Sequence, residues 1–191
     1  MRALRDSSLE EYASWYLLRE AQKTRTATPS AMQRDPIAEM QHHEGKMRSW
    51  FDASTMWKIV ELENVDEFSN LVFLESDWTR EEGLVTNDGA NYRLLDRVAE
   101  NALRGGYLHR PSAHRHREYY ERLAAGTLIL RGEDRIAICS AECSEIAANP
   151  AASFYLLDGA GRCLPYMVLL KEKRLNEIAI EAFLAARQKG Q

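Results

Sequence analysis

The chain has 191 residues, 45% of them hydrophobic and 28% charged, which is ordinary for a globular protein with one domain and an extension. Its formal net charge of -4 argues against a general nucleic-acid-binding protein, for which a basic balance is expected. No apolar run approaches the roughly 20 residues that span a membrane, and three irregularly spaced cysteines do not form a disulfide framework. We therefore expect a soluble, cytoplasmic protein with reduced thiols and no membrane partner.

The N-terminal part of the chain has the hydrophobic spacing of helices. One helix is predicted from Ser8 to about Lys23 and a second from Pro36 to about Phe51. Residues 1–55 are thus predicted to form a helical extension. Trp15 and Tyr16 fall on one face of the first helix, which is a candidate surface for a partner or for a homodimer.

The pattern changes after residue 55, and residues 56–191 are predicted to be one α+β domain with a small mixed sheet. Apolar runs rich in β-branched and aromatic residues predict strands at 57–62 and 70–74, and a hairpin at 127–130 and 135–139. Helices are predicted where Leu94 to Leu103 have helical spacing, ending at Gly105-Gly106, and from Glu118 to Ala125.

The most informative segment runs from a short aromatic strand at 154–157 through Asp158-Gly159 and Gly161 to Arg162, where a helix is predicted as far as about Arg174. Glycines let the backbone approach an anion closely, and the first amides of a helix point toward it. The guanidinium of Arg162 is a planar fork suited to phosphate oxygens. The alternative is an ordinary Asp-Gly turn followed by a solvated arginine.

A strand, Asp-Gly-x-x-Arg, a helix and a closing strand at 178–185 together resemble the ParB/sulfiredoxin-like superfamily. The branch most similar to this chain is that of the free serine kinases and related small-molecule kinases. Nucleotide-using members of the superfamily carry Asp-Gly-His-His-Arg at this turn, whereas Ala160 and Gly161 stand here in place of the histidines.

The resemblance implies a phosphotransferase that uses ATP or ADP with Mg²⁺ on a small hydroxylated substrate. It implies that the turn and the helix start hold the nucleotide phosphates through Gly159, Ala160, Gly161, Arg162 and Cys163. An acidic residue from an earlier segment would act as the general base. The alternative is a non-catalytic ParB-like domain that binds a regulatory partner or nucleic acid.

The acidic segments near the first two predicted strands supply candidate catalytic carboxylates. Glu75 and Asp77 rank first because they follow the end of an apolar strand, where open sheets tend to place ligands. Asp158 is the third candidate, at the turn itself. A solvated, charged sheet edge is the other interpretation of these residues.

A local basic cluster interrupts the acidic sequence between residues 104 and 117. It is a candidate contact for substrate phosphate, nucleotide or nucleic acid, or a solvated loop and helix start. His114 and His116 have no obvious third ligand, so we predict no metal site there. The cluster comprises Arg104, His109, Arg110, His114, Arg115, His116 and Arg117.

Overall fold

The computed structural model describes residues 1–24, 35–43, 55–73, 77–85, 93–143 and 154–187 of the chain. The strands are β1 (Arg2–Ser7), β2 (Thr55–Leu62), β3 (Ile136–Ser140), β4 (Phe154–Asp158) and β5 (Ile180–Arg187). The helices are α1 (Leu9–Thr24), α2 (Pro36–His43), α3 (Val65–Ser69), α4 (Asp77–Glu81), α5 (Leu95–Arg104), α6 (His114–Ala124) and α7 (Ala160–Lys171). The predicted α+β class is confirmed.

The five strands form one mixed sheet in the order β1-β2-β5-β3-β4. Strand β5 pairs with β2 in antiparallel register from Thr55↔Arg187 to Leu62↔Ile180. On its other side β5 runs parallel to β3, and β3 pairs with β4 in antiparallel orientation. The last strand in the sequence therefore lies at the centre of the sheet.

Helices cover both faces of the central strands of the sheet, whereas the edge strand β1 is exposed along most of its length. In β3, Ile136 and Ile138 point into a core shared with residues of α5, α6 and α7. Ala137 and Cys139 point to the opposite side, into a second core shared with α1 and α2. Successive side chains of a strand alternate between faces, so a sheet buried on both sides needs an apolar residue at nearly every position of its central strands.

Helix α1 is part of the packed structure. Its Tyr12 is fully buried and stacks on Trp57 of β2 with ring centroids 4.5 Å apart. Trp15 and Tyr16 are also buried. The aromatic face that the sequence suggested as a partner or dimer surface therefore packs inside the chain.

The predicted N-terminal extension is not wholly helical, because β1 pairs with β2 at one edge of the sheet. Helix α2 ends at His43 in the structure, and residues 44–54 lie outside the described residues. The division of the chain at residue 55 stays a prediction.

Two predictions of β structure are wrong, one of a strand and one of a hairpin. The segment 70–74 makes no full strand among its described residues: Val72 forms single bridges with Tyr155 and with Leu94. The predicted hairpin is also absent, because residues 127–130 form no strand and β3 pairs with β4 and β5 instead. The apolar residues Leu71, Val72, Phe73, Leu128 and Leu130 are buried, but whether a buried segment forms a strand depends on distant partners.

Helix boundaries differ from the sequence prediction in α6 and α7. Helix α6 begins at His114, four residues before the predicted start, so four of the seven residues of the basic cluster lie in α6. Helix α7 begins at Ala160, because Gly159 turns the chain into the helix. Pro165 lies in the second turn of α7.

Candidate anion-binding site

The bend between β4 and α7 requires a glycine at position 159. Gly159 has φ +100°, and a Cβ added there would lie 2.7 Å from Cγ2 of Ile136. The carbonyl of Gly159 accepts hydrogen bonds from the amides of Arg162 and Cys163, both at 2.9 Å. The amides of Ala160 and Gly161 belong to the first turn, where a helix offers them no intrahelical acceptor.

A cavity of about 370 Å³ opens in front of this bend. Three elements distant in sequence form its wall: α1, α6 and the segment that joins β4 to α7. The predicted turn is therefore adjacent to a concave space. The lining residues are Arg19, Arg115, His116, Tyr119, Asp158, Gly159, Ala160, Gly161 and Arg162.

The guanidinium of Arg162 is built into the interior. The residue is 2% exposed. Its Nη1 donates to the carbonyl of Asp134 at 3.1 Å, and its Nη2 lies 3.4 Å from Oδ2 of Asp158. Burial lowers the pKa of Arg162 from its ordinary value. Arg162 is thus buried, and its guanidinium already has partners within the protein, so only part of its donor capacity remains for a phosphate. Its contact with Asp158 holds that carboxylate at the cavity wall.

Arg19 reaches the same cavity from α1. Its Nη1 makes an ion pair with Oδ1 of Asp134 at 2.6 Å, so Asp134 lies between Arg19 and Arg162. Arg19 is only 8% exposed, and its Nε is buried without a hydrogen-bond acceptor. A buried donor of this kind costs stability unless an acceptor reaches it. Trp15 fixes α1 here by donating to the carbonyl of Glu133 at 2.9 Å.

Helix α6 contributes an exposed arginine and a partly buried histidine. Arg115 lines the cavity with its side chain open to solvent. His116 packs against the bend, with Nε2 3.7 Å from a Cβ position on Gly161. Its Nδ1 lies 3.0 Å from the hydroxyl of Tyr107. Desolvation, with a smaller effect of His114, lowers the pKa of His116 to about 4.

The charge balance of the cavity favours an anion. Three arginine side chains reach the cavity wall, against the carboxylate of Asp158 and that of Asp134 behind it. Among the residues described at the cavity, these groups leave a formal excess of one positive charge. The N-terminus of the twelve-residue helix α7 adds partial positive charge. An oxyanion that entered the cavity would meet donors from both side chains and backbone.

The structure brings five of the eight predicted site residues together at this cavity: Asp158, Gly159, Ala160, Gly161 and Arg162. Cys163 is fully buried and does not line the cavity, and burial raises the pKa of its thiol. Asp77 is the first residue of α4, and its side chain is not described. Glu75 lies outside the described residues.

The basic cluster is divided between different surroundings. Arg115 and His116 line the cavity, whereas Arg110 makes an ion pair with Glu82 at 2.9 Å. Arg117 donates to the carbonyl of Arg110 and lines a separate groove between α5, α6 and α7. Because Arg115 and Arg117 face different cavities, they do not form one continuous nucleic-acid-binding surface.

Arg19, Tyr119 and Asp134 are site residues that the sequence analysis did not single out. A signal existed for Arg19 alone: it has the helical spacing of the buried residues Tyr12 and Tyr16, so an arginine falls on the apolar face of α1. Nothing local in the sequence connects Tyr119 or Asp134 with the bend.

Comparisons with protein-family models, with curated proteins and with solved structures return no match to this chain. The resemblance to the ParB/sulfiredoxin-like superfamily therefore stays a prediction. In the parts of the chain that the structure describes, no three histidine, cysteine or acidic side chains are grouped as metal ligands. The described helices also include none that is long and apolar enough to cross a bilayer.

Proposed function

We propose that this protein is a nucleotide-dependent phosphotransferase that acts on a small hydroxylated metabolite and holds phosphate in the cavity in front of α7. The observation that carries the proposal is the convergence of Arg19, Arg115, Arg162 and the α7 N-terminus on one space of about 370 Å³.

Phosphoryl transfer depends mainly on positioning and on charge stabilisation. Arg19, Arg115 and the first amides of α7 would absorb the negative charge of the transferred group. Asp158 would accept the proton of the substrate hydroxyl, and Arg162 would position Asp158. This assigns the general base to Asp158, because Asp158 lines the cavity, whereas the side chains of Glu75 and Asp77 are not described.

Magnesium fits this donor set in a limited way. Mg²⁺ binds through one or two carboxylates together with substrate phosphates and water. Asp158 is the one lining carboxylate among the residues described at the cavity. Because the proposal uses Asp158 as the general base, Mg²⁺ would be held mainly by the substrate phosphates and water, where it would neutralise charge on the phosphates.

The test is isothermal calorimetry with ATP and with ADP, each with Mg²⁺, on the wild type and on Arg115→Ala. Arg115 is exposed, so its removal should leave the fold intact. We expect about a 10- to 100-fold loss of nucleotide affinity, the worth of a hydrogen bond to a charged group. Arg162→Ala is a poorer probe, because breaking a buried ion pair destabilises a protein by about 3–5 kcal/mol.

Arg122→Ala is the matched control, because Arg122 is an exposed arginine of the same helix that does not line the cavity. It should bind nucleotide as the wild type does. Absence of nucleotide binding by the wild type, or equal affinities of Arg115→Ala and Arg122→Ala, would contradict the proposal.

A non-catalytic ParB-like binding domain is the second candidate. It is favoured by the contacts of Arg162, which are made to groups within the protein. A guanidinium held by Asp134 and Asp158 does more to build the bend than to bind phosphate. Phosphorus NMR of ATP with the protein and a panel of hydroxylated metabolites separates the two candidates. Binding without transfer of the terminal phosphate would favour the second.

The proposal includes a cytoplasmic location. Cys139, Cys143 and Cys163 are free and buried, which is the usual state of thiols in a reducing compartment.

A further inference from the structure

The groove between α5, α6 and α7 is a second concave space, and its floor is apolar. Its volume is about 240 Å³. A dry cavity of about 150 Å³ already holds a benzene molecule, so this groove has room for one small apolar side chain and a polar head. Small-molecule sites combine apolar walls of this kind with a few placed polar groups. The apolar part of the lining comes from Ala102, Leu103, Leu108 and Val168.

Two charged side chains of α6 line this groove without a counter-ion in the described part of the chain. Arg117 makes one hydrogen bond, from Nη2 to the carbonyl of Arg110 at 3.1 Å, although a guanidinium has five N–H donors. Glu121 is exposed, and its carboxylate has no hydrogen bond or ion pair to a described residue. Residues four apart are neighbours on a helix, but a cation that precedes the anion is the less favourable order for a direct pair. Both charges are therefore available to a ligand.

Glu172, the other carboxylate of the lining, already has partners within the protein. The hydroxyl of Tyr120 donates to Glu172 and accepts from Nη1 of Arg174 at 2.5 Å. The guanidinium of Arg174 also lies over the Tyr120 ring, 5.2 Å from its centroid. Because Arg174 balances the charge of Glu172, a ligand in the groove meets one available cation and one available anion, side by side above an apolar floor.

We propose that this groove binds a free α-amino acid with an apolar side chain. The carboxylate of the amino acid would accept hydrogen bonds from Arg117, its ammonium group would donate to Glu121, and its side chain would lie on the apolar floor. An apolar acid would bring a second carboxylate beside Glu121, and an apolar amine would leave Arg117 without an acceptor. A zwitterion satisfies both groups at once.

The inference goes beyond the proposed function and does not rest on it. Among the described residues, none lines both this groove and the cavity in front of α7. The two sites can therefore be titrated separately in the same protein.

The first experiment is calorimetry of the full wild-type chain near neutral pH with L-leucine and three analogues that each lack one part of it. Isocaproate lacks the ammonium group, isoamylamine lacks the carboxylate, and glycine lacks the apolar side chain. We expect each analogue to bind about 10- to 100-fold more weakly than leucine. This is the worth of one hydrogen bond to a charged group, or of one buried leucine side chain.

The second experiment assigns the binding to the groove. Glu121→Gln should weaken leucine binding about 10- to 100-fold without weakening isocaproate, which has no ammonium group to lose a partner. Arg117→Gln should weaken leucine binding to a similar extent without weakening isoamylamine. The matched controls are Glu118→Gln and Arg122→Gln, which replace exposed residues of α6 that do not line the groove and should bind leucine as the wild type does.

Each part of the inference can fail by itself. Equal affinities for leucine and for either charged analogue would overturn it, because the site would then recognise a single charge. Equal affinities for leucine and glycine, or no leucine binding at millimolar concentration, would overturn it as well. The same holds if a groove variant and its control bind leucine equally. The wild-type comparison needs no variant, and failure of the nucleotide titrations would leave this inference standing.

Discussion

Replacing Gly159 by alanine tests whether the bend in front of α7 is built as described. The backbone there has φ +100°, a conformation that costs an L-residue about 1–2 kcal/mol relative to glycine. The new Cβ would lie 2.7 Å from Cγ2 and 3.0 Å from Cβ of Ile136, which is buried at the start of β3. Overpacking of this kind costs about 1–3 kcal/mol more. We expect Gly159→Ala to lower the free energy of unfolding by about 2–5 kcal/mol in urea titrations with an unchanged m-value.

Gly161→Ala is the matched control, two residues further along. Gly161 lies inside α7 without positive φ, and a Cβ there would make ordinary contacts at 3.6 Å with Tyr119 and 3.7 Å with His116. Alanine is preferred over glycine in a helix by about 0.5–1 kcal/mol, so this variant should be as stable as the wild type or slightly more stable. If both variants unfolded at the same urea concentration, the described geometry of the bend would be wrong.

Three further predictions concern acid stability, the docking of α1 and thiol reactivity. Because His116 has a folded pKa of about 4, below its ordinary 6.5, its contribution to stability is complete above about pH 6.5 and is lost as the pH falls toward 4. Between about pH 7 and 4 the free energy of unfolding of the wild type should therefore fall by about 2–3 kcal/mol more than that of His116→Gln in urea titrations. Equal falls in the two proteins would contradict this prediction. Tyr12→Ala should destabilise the whole chain by about 3–5 kcal/mol in one cooperative transition. The control Leu18→Ala, at a residue 37% exposed, should cost under about 1 kcal/mol. If the N-terminal extension folded independently, neither substitution would change the stability of the rest of the chain. Cys163 should react with a thiol reagent at about pH 8 no faster than the protein unfolds, because it is fully buried and burial raises the pKa of its thiol. Rapid labelling of Cys163 in the native protein would refute this placement.

Much of the secondary structure could be predicted because its signals are local. The spacing of Tyr12, Trp15 and Tyr16 identified α1, and Gly105 marked the end of α5. The hairpin prediction failed because alternation indicates a strand but does not identify its partner. Strand β3 had an adjacent apolar segment in sequence, yet it pairs with β4 and β5, which flank it so that its side chains are buried on both faces of the sheet.

The candidate site was partly predictable for the same reason. The glycine bend and the helix start are encoded within a few residues, so sequence reasoning placed Asp158 to Arg162 at one turn. The role of Arg162 could not be predicted, because its burial follows from Asp134, which precedes β3. His116 illustrates the limit: the structure brings it from α6 against Gly161, a contact that arises only in the folded chain.

The central position of β5 has a consequence for synthesis of the protein on the ribosome. Until residues 180–187 emerge, the β1–β2 pair and the β3–β4 pair have no strand to join them, and each presents an unpaired edge with apolar side chains. Native pairing is therefore delayed until late in translation, and the nascent chain is most exposed to aggregation shortly before that point. A chaperone that shields strand edges should accordingly raise the yield of soluble protein most when translation is slowed just upstream of β5.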